Sequence, residues 1–176
     1  INKTIIEAAQ GFKASSDPYL NKGAFTEMFT VYWPTGDVTF RDMTILVTGE
    51  APAEPHNNPY TGRKTTIDNV ICVTGGIDGP ITVTFKNLQI KGEPSSDAGA
   101  SNGKNMMWPL IAVGMYDEYR IDLIAENCEV VHAGQVAIEY WHAHGGTGEL
   151  NGNVISNSYI GIWLGAGLDG CELTVK

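Results

Sequence analysis

Eight side chains in the second half of the chain have the types and spacing to handle a sugar: Tyr116, Asp117, Tyr119, Arg120, Glu139, Trp141, His142 and Trp163. Indole and phenol rings stack on the apolar faces of pyranose rings, while carboxylates and guanidinium groups bind hydroxyls or uronate groups. Trp163, Trp141 and Tyr116 are therefore candidate substrate-binding residues. A glycoside hydrolase needs two carboxyl groups, about 5–5.5 Å apart for retention or about 6.5–9.5 Å for inversion. Glu139 with Asp117 is the pair the sequence offers. A polysaccharide lyase needs a base at C5 and a cation on the uronate, roles open to Tyr119 or His142 and to Arg120. The same residues also admit a structural role: Asp117 to Arg120 as a solvated turn, and Trp141 and Trp163 as packing surfaces for a loop. His142 and His144 have no clear third ligand, so no metal site is expected. No cofactor motif is present.

Those residues need elements to hold them, and the elements repeat. VTFRDMTI (38–45) matches VTFKNLQI (83–90), recurs as LIAENCEV (123–130) and more weakly as GELNGNVI (148–155), and CELTV (171–175) begins a further copy. Between these lies a second template: IAVGM (111–115), VAIEY (136–140) and IGIWL (160–164), aligned at steps of 25 and 24 residues, with looser copies at VICV (70–73) and FTVYW (29–33). Two short strands per period cannot bury their apolar side chains alone, so each period must stack on its neighbours. Alternation sends Val83, Phe85, Leu88, Ile90, Val113, Ile138, Ile162 and Leu164 inward. Asp42, Asn87 and Asn127 fall where one strand bends into the next, where an amide can reach its counterpart one period away. His132 aligns with Asn157 at another turn and is read as structural. The expected fold is all-β: a right-handed parallel β-helix, or solenoid, of about five coils in a single domain over residues 1–176. A β-sandwich with regularly spaced strands is the competing architecture.

Composition narrows the partners. A net charge of −9 repels nucleic acid and anionic membrane surfaces, and no apolar run is long enough for a membrane helix. Long excursions at about 50–65, with Pro52, Pro55, Pro59 and Gly62, and at 91–108, rich in Ser, Gly, Ala and Asn, read as surface loops. Cys72, Cys128 and Cys171 sit in apolar strands and are expected to be buried and unbridged. The start carries no secretory pattern and no initiator Met, consistent with a mature form or an excised fragment. It does carry a weak glycosylation sequon at Asn2. The repeat stops in mid-strand at Lys176, which leads us to expect further coils or a partner chain over that end.

The phrases VTFKNLQI and GIWLG resemble the right-handed parallel β-helix superfamily of pectin-lyase-like proteins over roughly residues 29–176. The resemblance implies an extracellular or cell-surface protein that recognises polysaccharide. It lacks the paired-aspartate, Gly-His-Gly and Arg-x-Lys signatures of polygalacturonases, any pectinesterase signature, and the Arg pattern and calcium-binding Asp cluster of pectate lyases. No family catalytic residue carries over. Three functions stay open: a lyase or glycoside hydrolase domain, a non-catalytic carbohydrate-binding or tailspike-like segment, and a structural module.

Overall fold

The computed structural model describes residues 28–47, 67–76, 78–94, 106–114, 119–141, 143–165 and 170–176, with the backbone of the strands named below. Strand β1 (Thr4–Glu7) and an antiparallel pair, β2 (Ser15–Ser16) and β3 (Ala24–Phe25), precede the first coil. That coil is β4 (Glu27–Val31), β5 (Val38–Arg41) and β6 (Met43–Leu46). A second small antiparallel pair, β7 (His56–Asn57) and β8 (Lys64–Thr65), lies inside the first long excursion. The second coil is β9 (Ile67–Thr74), β10 (Ile81–Lys86) and β11 (Gln89–Lys91), and the third is β12 (Met106–Val113), β13 (Ile121–Glu126) and β14 (Glu129–Val131). The fourth coil is β15 (Val136–Trp141), β16 (Thr147–Asn151) and β17 (Val154–Ser156), and β18 (Ile160–Leu164) and β19 (Glu172–Val175) begin a fifth.

Corresponding strands stack in parallel into three sheets: sheet I is β4-β9-β12-β15-β18, sheet II is β5-β10-β13-β16-β19 and sheet III is β1-β6-β11-β14-β17. This is the parallel β-helix of about five coils that the repeat predicts. β11 reaches Lys91 and β12 begins at Met106, so the second excursion is shorter than the sequence reading.

Sheet II shows how the pattern builds a coil. Ile81, Val83 and Phe85 of β10 point into the core while Thr82, Thr84 and Lys86 face out. Val83 stacks between Val38 and Leu123, and Phe85 between Phe40 and Ala125. The chain then turns from sheet II to sheet III on one residue of positive φ: Asp42 (57°), Asn87 (52°), Asn127 (53°) and Gly152 (61°). Asn, Asp and Gly tolerate this left-handed conformation where other residues are strained. The Asn87 Nδ2 donates to Asp42 Oδ1 at 2.8 Å, tying adjacent coils. In the fourth coil the tie moves one residue on: the Cys128 N–H donates to Asn153 Oδ1 (2.9 Å) and Asn153 Nδ2 to the Ala125 carbonyl (2.8 Å). His132 and Asn157 repeat the device at the turn into sheet I, with φ of 63° and 51°. Asn87→Ala should cost about 2 kcal/mol, from left-handed strain plus the lost tie, whereas Asn87→Gly should cost only about half as much. Equal losses for the two variants in urea denaturation would remove backbone strain as the cause.

The core also swaps large for small between coils. Ala112 of β12 gives way to Tyr140 in the next coil, and Leu123 of β13 gives way to Gly148. The Tyr140 ring occupies the space that Gly148 leaves, and its hydroxyl donates to the Ile121 carbonyl at 2.6 Å. The weakness of the repeat at Gly148 is thus a packing compensation.

Sheet I departs from the sequence alignment. Leu110 pairs with Ile138, a step of 28 residues, and not the step of 25 that set Ile111 beside Val136. An odd shift inverts the faces. Ala112, read as outward, belongs to the core, while Val113, read as inward, joins an outer cluster with Cys72, Met107, Trp108, Ile111 and Val136. Ala137, also read as outward, joins the core for a different reason, a break in the alternation at the start of β15, after which Glu139 keeps its outward place. Cys72 therefore packs outside the core, Cys128 is buried within it and Cys171 is half-buried; none forms a disulfide. Ile162 and Leu164 continue the inward rows of Ile138 and Tyr140 but remain 37% and 40% exposed on the last strand.

Candidate functional site on the outer face of sheet I

The outward row through Cys72, Ile111, Glu139 and Trp163 is in register across four coils. Cys72, Ile111 and Glu139 are 6%, 7% and 7% exposed, and Trp163 is 45% exposed. The face is covered over three coils and opens at β18, and Glu139 stands at the boundary. The pairing of Glu139 with Trp163 follows from their step of 24 residues, as the sequence indicated. A second outward row runs Thr74, Val113, Trp141. Trp141 then lies over Gly165, where a Cβ would sit 2.4 Å from the Trp141 Cβ. Glycine there leaves room for the Trp141 side chain.

Glu139 has ordinary polar chemistry in an apolar setting. Its Oε2 is buried and has no hydrogen-bond partner among the described residues. Burial disfavours the charged form and pushes its pKa up to about 7. A second unmet group belongs to the outer cluster: Trp108 is buried, and its Nε1–H has no partner among the described residues. Trp108 is on the strand preceding Glu139 and about three residues back along the sheet, so the two groups are on the order of 10 Å apart. Buried polar groups are ordinarily satisfied, so each of these two atoms, closed to solvent and without a partner among the described residues, carries a desolvation cost. Sequence reasoning missed Trp108. The signal was an indole in a run that is apolar on both faces, where its N–H still needs an acceptor.

The other candidates lie elsewhere. Tyr119 and Arg120 precede β13 at the corner of sheet II, and the Arg120 carbonyl accepts from the Ile81 N–H. The Arg120 guanidinium pairs with Asp122 at 3.1 Å, and Asp122 also accepts from the Thr147 N–H and hydroxyl. That carboxylate links β13 to β16 and holds the Arg120 head on sheet II. Tyr116, Asp117 and His142 lie outside the described residues. Apart from Glu139, the one described carboxylate in sheet I is Asp68. It lies two strands away and nearer the strand start, about 15 Å off by strand geometry and beyond the reach of a hydrolytic pair. Among the described residues no three His, Cys, Asp or Glu side chains converge as a metal site. The chain matches no family model, no curated protein and no solved structure.

Proposed function

We propose that this β-helix recognises carbohydrate through the outer face of sheet I at β15 and β18, as a binding domain. The observation that carries the reading is the buried, unpartnered Glu139 carboxyl in register with the exposed Trp163 indole. An indole supplies a stacking plane and the carboxyl a hydrogen bond that fixes orientation, the usual division of labour in a sugar site. The likeness of the repeat to pectin-lyase-like proteins supports polysaccharide as the ligand by analogy of fold, and with it an extracellular or cell-surface setting. Hydrolysis would need a second carboxyl group beside Glu139, and Asp117, the one the sequence offers, lies outside the described residues.

Trp163→Ala should weaken oligosaccharide binding about tenfold or more, the loss of a stacking surface worth on the order of 1–2 kcal/mol. Glu139→Gln keeps shape and hydrogen-bonding capacity and should weaken binding less. Calorimetric titration of wild type and both variants tests this. Release of new reducing ends or unsaturated sugars by wild type, abolished in Glu139→Gln, would make the protein an enzyme instead.

A further inference from the structure

We infer that two copies of this chain associate antiparallel through β19, turning the open end of one solenoid onto the open end of the other. The first ground is what that end exposes. Of the eight large apolar side chains that are exposed among the described residues, seven belong to β17, β18, β19 or the turn at Tyr159. Ile162 and Leu164 continue the core rows of Ile138 and Tyr140, and Leu173 and Val175 continue those of Gly148 and Leu150. Yet Leu173 is 37% and Val175 60% exposed. These three strands are the last of their sheets. An apolar edge of this kind pairs readily with another chain. The surface is the end of the solenoid, separate from the outer face of sheet I.

The second ground is that β19 is complementary to itself. The Glu172 and Lys176 N–H groups donate to the Gly146 and Leu150 carbonyls of the coil before. Successive residues of a strand turn their backbone groups to opposite edges, so Leu173 and Val175 present N–H and C=O to the open edge. An antiparallel partner exchanges hydrogen bonds between residues of that kind. Leu173 of one protomer opposite Val175 of its partner, and the reverse, gives two such pairs, with Thr174 opposite Thr174 at a two-fold axis. The same register sets Glu172 of each protomer opposite Lys176 of the other, on the outward face they share with Thr174. Residues 172–176 are all exposed in the single chain. Opposite charges, apolar side chains and backbone groups therefore match in one register. Exposed ion pairs add little affinity, so the apolar row and the backbone bonds hold the dimer while the charges fix its register. A two-fold contact closes at two copies, whereas head-to-tail stacking would leave an open end at every stage.

Sedimentation velocity of the 176-residue chain over a range of concentrations tests this. The expected result is a monomer–dimer equilibrium with nothing larger. Val175→Asp, at a position exposed in the single chain, should leave the far-ultraviolet dichroism unchanged and raise the dimer Kd about tenfold or more. Glu172→Lys and Lys176→Glu each set like charges opposite one another at both ion-pair positions, and each alone should weaken the dimer about tenfold. The two together exchange the charges and should restore wild-type affinity. A chain that is monomeric at every concentration would overturn the inference and leave this end to a different partner. Oligomers that keep growing with concentration, a dimer indifferent to Val175→Asp, or a double variant no tighter than the single ones would each overturn it as well.

Discussion

Restoring the repeat at Gly148 should harm the fold. The equivalent positions one and two coils earlier are Leu123 and Val83, so Gly148→Val writes the consensus into the fourth coil. A strand glycine is ordinarily a weakness, and its replacement by a β-branched residue ordinarily helps. Here a Cβ would lie 2.6 Å from Leu173 Cδ1 and 3.2 Å from Tyr140 Cε1. Leu173 is on the exposed last strand and can give way; Tyr140 is buried and tethered through its hydroxyl to the Ile121 carbonyl at 2.6 Å. Overpacking of this kind costs about 1–3 kcal/mol, which outweighs the propensity gain. Tyr140→Ala alone should cost about 3–5 kcal/mol, through a cavity. The double variant Tyr140→Ala with Gly148→Leu recreates the Ala112–Leu123 arrangement of the coil before and should be more stable than Tyr140→Ala alone. Additive losses in denaturant unfolding would show that the two positions do not share one space.

Stability should also fall as pH rises from about 4.5 to about 7, and Glu139 should account for that fall. Its carboxyl titrates near 7 in the folded protein against an ordinary value of 4.5. Between those values the unfolded chain has released the proton that the folded chain still holds, so raising pH draws the equilibrium toward unfolding. Below the lower value the neutral form is present in both states and the penalty vanishes; above the upper value the penalty is complete and constant. Its full size is roughly 3 kcal/mol. Glu139→Gln should remove this component and be more stable than wild type at pH 8. Urea midpoints at pH 5, 6, 7 and 8 for the two proteins provide the check, and parallel curves would mean that Glu139 is solvated.

Much of this architecture can be read from residues 38–45, 83–90 and 123–130, because their rows alternate and their Asp or Asn sits at a forced bend. Alternation locks register, and the left-handed corner admits few residue types. Glu139 and Trp163 could be paired for a similar reason: no excursion intervenes between β15 and β18. The register of β12 could not. Residues 106–113 are buried on both faces, so no polar position marks which side is out. The error of three residues moved Val113 and Ala112 to the wrong faces and hid the outer cluster. Arg120 was misleading in another way. Its neighbour Asp122, two residues on, lies on the same side of β13 and captures the guanidinium, a local pairing that competes with any role across the corner.

The most direct measurement of the glycan-face account is the side-chain carboxyl carbon resonance of Glu139, followed by NMR through a pH titration, with Glu139→Gln for assignment, in the absence and presence of a neutral oligosaccharide. The account requires a titration midpoint near 7 in the free protein and a displaced resonance or midpoint when sugar is added. A midpoint near 4.5, unmoved by any glycan, would contradict it.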